Sequence, residues 1–396
     1  MHPTLKLSDF DYTLPAHLIA QEPLEQRDHS RVFLLDAASP PGKTLGEEPF
    51  HRLPGWLRST LAISQNTPVL LVRNNAKVFP ARVPVMRTTG GEGEVFLWDR
   101  LPKEDGSQNC FLRPQKKLRV GELLLSPSFH PTHPNAPLFE VVSLGTVPRV
   151  KSLWEGSTQE FYSLFGHMPL PPYIERNLKH TALAQTARDA QRYQTIYAKE
   201  ELACAAPTAG LHFTPQLEEE CLKHQIHFCD VTLNVGAGTF APVQTEDIPS
   251  HTMHQENYHI SPQSLEEMLH FKDQNWPIVY VGTTSFRCVE SFFLEAQNIC
   301  QADSRLSLND ALKKGTQSWH STQLFVYPQT KSHRYVPQLG QAMITNFHQP
   351  CSTLVMLVSS LMGYEFWRSC YQEAVKKEFR FLSYGDCCFI KWSTIP

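Results

Sequence analysis

Three short stretches concentrate side chains able to hold a ligand. Ala206-Pro207-Thr208-Ala209-Gly210-Leu211-His212-Phe213 precedes a helix signal, and Gly282-Thr283-Thr284-Ser285-Phe286-Arg287 joins a strand to a helix. Thr345-Asn346-Phe347-His348 stands at a strand end before Pro350. Each sets small, hydroxyl, amide or imidazole groups where open α/β sheets bind ligands, at a strand's carboxyl end or a helix start. Taken singly, each reads equally as turn and capping chemistry. Together they read as one cleft. A fourth stretch, His251-Thr252-Met253-His254-Gln255-Glu256, spaces His254 and Glu256 two apart. On an extended strand the two point to one side, which suits acid–base chemistry or a plain surface hydrogen bond.

Two patterns are set aside. Gly236-Ala237-Gly238-Thr239-Phe240-Ala241 fits a loose dinucleotide-binding fingerprint, with Glu256 about 20 residues on. Pro242 and Pro249 follow, so no amphipathic helix opens there to face a pyrophosphate. These glycines read as a tight loop. The His251–Glu256 stretch has no further His or Cys at metal-ligand spacing, so no metal is expected.

The elements that position these groups follow from local signals. Leu183–Glu200 reads as a helix carrying Tyr193 and Tyr197 at i,i+4. Thr214 can cap the next helix, with Pro215 at its first position. Ile226–Val235, Ile278–Val281 and Ala342–Asn346 read as strands, and helices follow Gly282 and run over Thr353–Met362, ended by Gly363. Strands alternating with helices imply a mostly parallel sheet covered on both faces. The segment 38–56, rich in proline, reads as loop. From Pro68 to Val150 the runs Val69–Arg73, Ala81–Met86, Gly93–Trp98, Leu118–Leu125 and Leu138–Leu144 alternate with Gly and Pro. The expectation is a large discontinuous α/β domain, residues 1–65 and 151–396, interrupted by a small all-β barrel-like domain at 66–150.

Composition bounds the class. The 396 residues are 41% hydrophobic and 19% charged, with a formal net charge of −3. This excludes disordered, collagenous and histone-like chains. Residues 66–150 hold 11 Lys/Arg against 7 Asp/Glu, so the β insert carries the positive bias, with Lys116, Lys117 and Arg119 a candidate surface for nucleic-acid phosphates. No apolar run approaches the roughly 18 residues that span a bilayer. Ten scattered cysteines without a Cys-x-x-Cys read as buried free thiols. A cytoplasmic protein, monomeric and without membrane contact, is expected.

The same stretches carry a resemblance along the whole chain. From Leu7-Ser8-Asp9-Phe10-Asp11-Tyr12 to Phe381-Leu382-Ser383-Tyr384-Gly385-Asp386, through Gly166–Ile174, Tyr193-Gln194-Thr195-Ile196-Tyr197, Ala205–Phe213, Val231–Phe240, His251–Glu256, Gly282–Glu290 and Ile344–His348, it resembles the S-adenosylmethionine:tRNA ribosyltransferase-isomerases of queuosine synthesis. It departs from that pattern at Ala76-Lys77, at Glu201-Leu202 and at Cys351, and Gln329–Gln341 is longer than usual. The resemblance implies transfer and isomerisation of the ribosyl group of S-adenosylmethionine onto 7-aminomethyl-7-deazaguanine at the wobble position of tRNAs with a G-U-N anticodon. Epoxyqueuosine-tRNA, adenine and methionine are the products. The resemblance also implies that S-adenosylmethionine is consumed as a co-substrate and that no metal is involved.

That reaction needs proton carriers, for which His212, His254, Glu256 and His348 are the candidates. Thr208, Gly210, Thr283, Thr284 and Asn346 suit adenosine, ribose or the amino-acid end. Arg287 suits the methionine carboxylate or a phosphate. Tyr193, Tyr197, Phe213 and Phe347 can stack bases or simply pack the core. Gln194, Pro207, Gly282 and Thr345 complete the candidate substrate contacts. Two alternatives stand beside this reading: an S-adenosylmethionine-dependent RNA methyltransferase, and a non-catalytic tRNA-binding module.

Overall fold

The computed structural model describes residues 4–40, 43–128, 130–176, 183–236, 238, 243 and 245–392. Nine strands form one sheet in the order His320–Thr322, Glu256–His259, Ile226–Leu233, Val69–Asn74, Ile278–Val281, Ala342–Asn346, Cys387–Lys391, Arg31–Asp36 and Gly46–Pro49. Four adjacent strands, from Ile226–Leu233 to Ala342–Asn346, run parallel. Both flanks turn antiparallel, at Cys387–Lys391 on one side and Glu256–His259 on the other. The sheet is therefore mixed, where the alternation of strand and helix suggested a mostly parallel one. The helices Thr353–Met362 and Tyr364–Lys376 pack as a pair after Ala342–Asn346. Two successive helices return the chain to the end of the sheet at which Ala342–Asn346 finished, so the next strand runs antiparallel; a single helix would have carried it to the other end and made that strand parallel.

Val69–Asn74 explains the core. Leu70 and Val72 enter the cluster on one face with Tyr280, Met343 and Phe286, while Val69 and Leu71 enter the other with Val281, Ile344 and Phe389. The alternation follows from the two-residue period of a strand buried on both faces. The sequence reading grouped this run with the β insert. It lies at the centre of the large sheet instead, because a short apolar run between turn signals looks the same in a barrel and in a buried parallel strand.

The barrel is closed by six strands in the order Arg149–Ser152, Ser107–Arg113, Glu92–Leu97, Arg82–Arg87, Leu123–Leu125 and Pro137–Ser143. Every neighbouring pair is antiparallel. Val83, Val95, Leu112, Phe139 and Val150 fill its interior, and Phe161, Tyr162 and Phe165 of the helix Thr158–Phe165 join that core. Two barrel strands, Ser107–Arg113 and Arg149–Ser152, escaped the sequence reading because polar residues interrupt their alternation. The segment 38–56 read as loop contains the strand Gly46–Pro49 and the start of the helix Leu53–Leu61.

The helix read over Leu183–Glu200 ends at Arg192. A turn follows, with Ala198 N donating to Thr195 O, and then the strand Glu200–Ala203 pairs in parallel with Ala76–Val78. The i,i+4 spacing of Tyr193 and Tyr197 is thus not a helix face. The pairing sets Lys77 opposite Glu201, and Lys77 Nζ lies 3.4 Å from Glu201 Oε1. Two of the departures from the family pattern therefore meet. Arg100 of the barrel joins the same carboxylate at 3.1 Å.

Other local signals hold as read. Thr214 Oγ1 accepts from Leu217 N with Pro215 at the first turn. Ile278–Val281, Ala342–Asn346 and Thr353–Met362 have the expected limits. Ile226–Leu233 ends two residues early, and the helix begun at Thr283 runs on to Ala302. Among the described residues no helix is long and apolar enough to cross a membrane.

Candidate functional site

A cleft of about 350 Å³ opens at the carboxyl ends of Ile278–Val281 and Ala342–Asn346. Two helix N-termini border it, those of Thr283–Ala302 and Thr353–Met362. Both favour a negatively charged ligand group there. Gly282 caps the first helix at φ +92°, a left-handed backbone that a side chain would strain. The cleft is lined by Tyr193, Pro207, Thr208, Glu256, Gly282, Thr283, Thr284, Arg287, Thr345, Asn346, Phe347 and His348. All of these were marked by the sequence.

Other marked residues lie elsewhere. Gln194 bonds the main chain of Val78 through both amide atoms and so holds a strand. Tyr197 sits under the Arg73 guanidinium at 3.9 Å, and a side chain at Gly210 would collide with its hydroxyl. Phe213 is fully buried in the core beside Phe50, and His212 is buried behind the cleft wall. His254 is exposed, its ring packed over Gly238. The strand begins only at Glu256, so the two-residue period does not reach back to His254. Of the discarded fingerprint, Ala237, Thr239, Phe240 and Ala241 lie outside the described residues. Phe347 lines the cleft, but its ring is fully buried against Phe381, Phe379 and Tyr371.

The cleft also recruits Tyr173, Cys351, Ser352 and Ser383, which carried no site signal of their own beyond lying in or near the resembling stretches. Tyr173 and Ser383 share a hydrogen bond of 2.7 Å between residues 210 apart. Only the fold brings them together.

The electrostatic centre is a buried pair. Arg287 Nη1 lies 2.5 Å from Glu256 Oε2, with side chains 8% and 5% exposed. Arg287 Nε donates to Leu324 O, and Gly236 N donates to Glu256 Oε1. Among the described residues, three buried polar atoms of the cleft have no hydrogen-bond partner: Thr284 Oγ1, Arg287 Nη2 and Asn346 Oδ1. An unmet buried group costs about 1–3 kcal/mol. A donor, an acceptor and a hydroxyl left unmet around one cleft are chemically suited to a ligand that carries both donors and acceptors.

Asn346 is oriented from behind. Its Nδ2 donates to Leu382 O at 3.0 Å and lies 3.4 Å from His212 Nε2, which leaves Oδ1 as the orphan. His212 Nδ1 in turn lies 2.7 Å from Ser30 Oγ. His348 Nε2 is 3.0 Å from Thr345 Oγ1, and Tyr371 and Tyr12 hold its main chain. Burial pulls His212 from the ordinary 6.5 to about 4, with Asp386 opposing, and pulls His348 to about 3. Burial thus favours the neutral form of both rings near neutral pH.

These shifts set a pH dependence of stability. Below pH 6.5 the unfolded chain binds protons on both rings, while the folded protein does so only near pH 4 and pH 3. Their contribution, roughly 3–5 kcal/mol each at full loss, is complete above pH 6.5 and is lost as pH falls toward the folded values. Glu290 acts in the opposite sense. Burial raises it to about 7 against bonds from Gln338 N and Tyr335, so its effect diminishes stability as pH rises from about 4.5. Urea unfolding of wild type and His212→Asn separates the two. The variant is expected to lose less stability between pH 6.5 and 4, and parallel curves would refute the assignment to His212.

A family model described as queuosine biosynthesis protein matches residues 7–390. The chain belongs to this family. The whole-chain resemblance read from the sequence is thereby established. A relative of this queuosine biosynthesis protein family from Thermotoga petrophila is 36% identical over 389 residues, covering 98% of this chain and 100% of the relative. One from Carboxydothermus hydrogenoformans is 38% identical over 387 residues, covering 98% and 100%. Both are named S-adenosylmethionine:tRNA ribosyltransferase-isomerase. A crystal structure of an S-adenosylmethionine tRNA ribosyltransferase from Thermotoga maritima covers 96% of this chain and 99% of its own, at 26% identity and a TM-score of 0.47. The family member described here is an enzyme of the transferase-isomerase class.

Proposed function

We propose that this enzyme transfers and isomerises the ribosyl group of S-adenosylmethionine onto 7-aminomethyl-7-deazaguanine at the tRNA wobble position, releasing adenine and methionine. The observation that carries the reading is the set of three orphaned polar atoms around one cleft, on Thr284, Arg287 and Asn346. In this reading Arg287 and the N-terminus of Thr283–Ala302 take the methionine carboxylate. Asn346 Oδ1 accepts from the ligand, and Thr208, Thr283 and Thr284 supply hydroxyls. The wobble base lies in a single-stranded loop and can be splayed into the cleft at small cost.

The chemistry takes a proton from the ribosyl carbon beside the sulfonium and delivers one to the departing adenine. His348 lines the cleft with its imidazole neutral above about pH 3, and in this reading it takes that proton once the ligand is bound and returns it to adenine, against the burial that disfavours its imidazolium in the free protein. Glu256, fixed by Arg287, lies across the same cleft. His212 acts through Asn346 as a positioning residue. The barrel between Arg82 and Ser152 serves as an inserted docking unit, presenting the exposed Lys116, Lys117 and Arg119 to tRNA phosphates.

The test uses S-adenosylmethionine labelled either in ribose or in methyl, with tRNA carrying the deazaguanine precursor. Ribose label is expected in tRNA, with free adenine in equal amount, and His348→Asn is expected to cut this by about 10²-fold or more. Exchange of Lys116, Lys117 and Arg119 for Glu is expected to weaken tRNA binding and leave S-adenosylmethionine binding unchanged. Methyl label in tRNA, with S-adenosylhomocysteine as product, would make the protein a methyltransferase. Binding of tRNA without consumption of S-adenosylmethionine would make it a non-catalytic module.

A further inference from the structure

A second hollow lies beside the cleft. Arg27, Arg192, Arg380, His212 and Tyr384 line it, and Ser383 lines both hollows. The arginines come from three distant parts of the chain: the turn Arg27–His29, the last residue of the helix Leu183–Arg192, and the segment just before Cys387–Lys391.

Elementary electrostatics opposes this convergence. Arg380 has an ion pair with Asp386 at 3.2 Å. Among the described residues Arg27 and Arg192 form none. Arg27 Nη1 donates to Gln194 O at 3.1 Å, and Arg192 Nη1 to Glu25 O at 3.2 Å, so both bond neutral main-chain carbonyls. Burial and then repulsion from Arg192 pull the Arg27 guanidinium below its usual range, and the attraction of Asp28 is smaller than that repulsion. Arg192 is pulled down by burial and then by Arg188, with Glu25 offsetting less. Guanidinium groups that have no ion-paired carboxylate of their own, as Arg27 and Arg192 have none among the described residues, are stabilised when an anion arrives.

An independent observation points to the same kind of ligand. Tyr384 is 3% exposed, and its buried hydroxyl has no hydrogen-bond partner among the described residues. Two guanidinium groups and a phenol form a donor set that suits an anionic acceptor, with Asp189 and Glu22 acting on the phenol against Arg176 and Arg192. The free interior is only about 20 Å³. That holds one or two oxygen atoms and excludes a base or a whole S-adenosylmethionine.

We propose that this hollow is a phosphate subsite that receives non-bridging oxygens of a phosphodiester next to the nucleotide reacting in the cleft. The proposal rests on the reading of tRNA as substrate, and the shared wall at Ser383 is what sets a neighbouring phosphate within reach. Arg27 and Arg192 would then fix the strand while the cleft takes the base.

The test measures binding of precursor tRNA by fluorescence anisotropy across a salt series, for wild type and for Tyr384→Phe, Arg27→Gln and Arg192→Gln. Each variant is expected to bind tRNA about tenfold more weakly, with S-adenosylmethionine affinity unchanged. The two arginine variants are expected to lower the salt slope by about 0.7 each. Arginine exchange also removes main-chain bonds, so Tyr384→Phe carries the decision if those variants unfold. Its hydroxyl has no partner in the free protein, so thermal stability is expected to hold while tRNA affinity falls. Wild-type tRNA affinity in Tyr384→Phe, with the unchanged slope in any folded arginine variant, overturns the subsite. Inorganic phosphate that binds wild type and not Arg192→Gln, with tRNA affinity the same in both, makes the hollow a free-phosphate site and overturns it as well. A wild-type protein that binds no tRNA would instead overturn the functional reading on which the subsite rests.

Discussion

With Met in place of Arg287, the unfolding free energy falls by about 3–5 kcal/mol and S-adenosylmethionine binds about 10²-fold more weakly. The first effect follows from Glu256, which is 5% exposed and would be left buried opposite an apolar side chain. The second follows from Arg287 Nη2, the one buried cleft donor of that side chain without a partner. A double-mutant cycle separates them. Adding Glu256→Gln to Arg287→Met removes the buried charge that has lost its guanidinium and is expected to restore much of the stability. S-adenosylmethionine affinity is expected to stay low. Arg287→Lys is no rescue, because a point charge cannot serve Leu324 O, Glu256 and the ligand at once. Chemical denaturation and titration calorimetry read the two effects. Wild-type affinity in Arg287→Met would remove this guanidinium from the ligand site.

Asn346 gives the second large effect, and its sign is less intuitive. Its Nδ2 donates to Leu382 O at 3.0 Å and reaches Asp386 O at 3.5 Å, while Oδ1 is the orphan. Asn346→Ala strands those carbonyls and deletes the acceptor. It is expected to cost about 1–3 kcal/mol of stability and to weaken S-adenosylmethionine binding by roughly 10- to 10²-fold. Asn346→Asp keeps the shape but turns an oxygen toward the same carbonyls. It is expected to be more destabilising than Ala, although Asp is the closer isostere. Thermal unfolding of the two variants decides this. An Asp variant as stable as wild type would mean that the amide does not hold those carbonyls.

Neither effect can be read from spacing. Glu256 and Arg287 stand 31 residues apart, and Asn346 meets carbonyls 36 and 40 residues away. The sequence did mark all three as polar groups at element boundaries, because turn and cap chemistry is local. It also marked Tyr197, Phe213 and Gln194, which serve packing and strand attachment instead. An aromatic ring or an amide looks the same in a sequence whether its partner is a ligand or the core.

The sequence by itself determined what depends on neighbours a few residues away. The cap at Thr214–Pro215, the strands Ile278–Val281 and Ala342–Asn346, the helix Thr353–Met362 with Gly363 after it, and the β texture past Arg82 all belong here. Hydrogen-bond periodicity and backbone freedom are set within a turn or a strand, so these signals survive without tertiary context. Family membership was legible for another reason: its stretches keep their order along the whole chain. Only the tertiary structure decided that Val69–Asn74 is the middle of the large sheet, that the helix before Tyr193 stops at Arg192, and that the sheet flanks run antiparallel. It alone decided which cleft atoms are satisfied and which are left for a ligand. Burial and hydrogen-bond satisfaction depend on groups far away in sequence, and no local pattern encodes them.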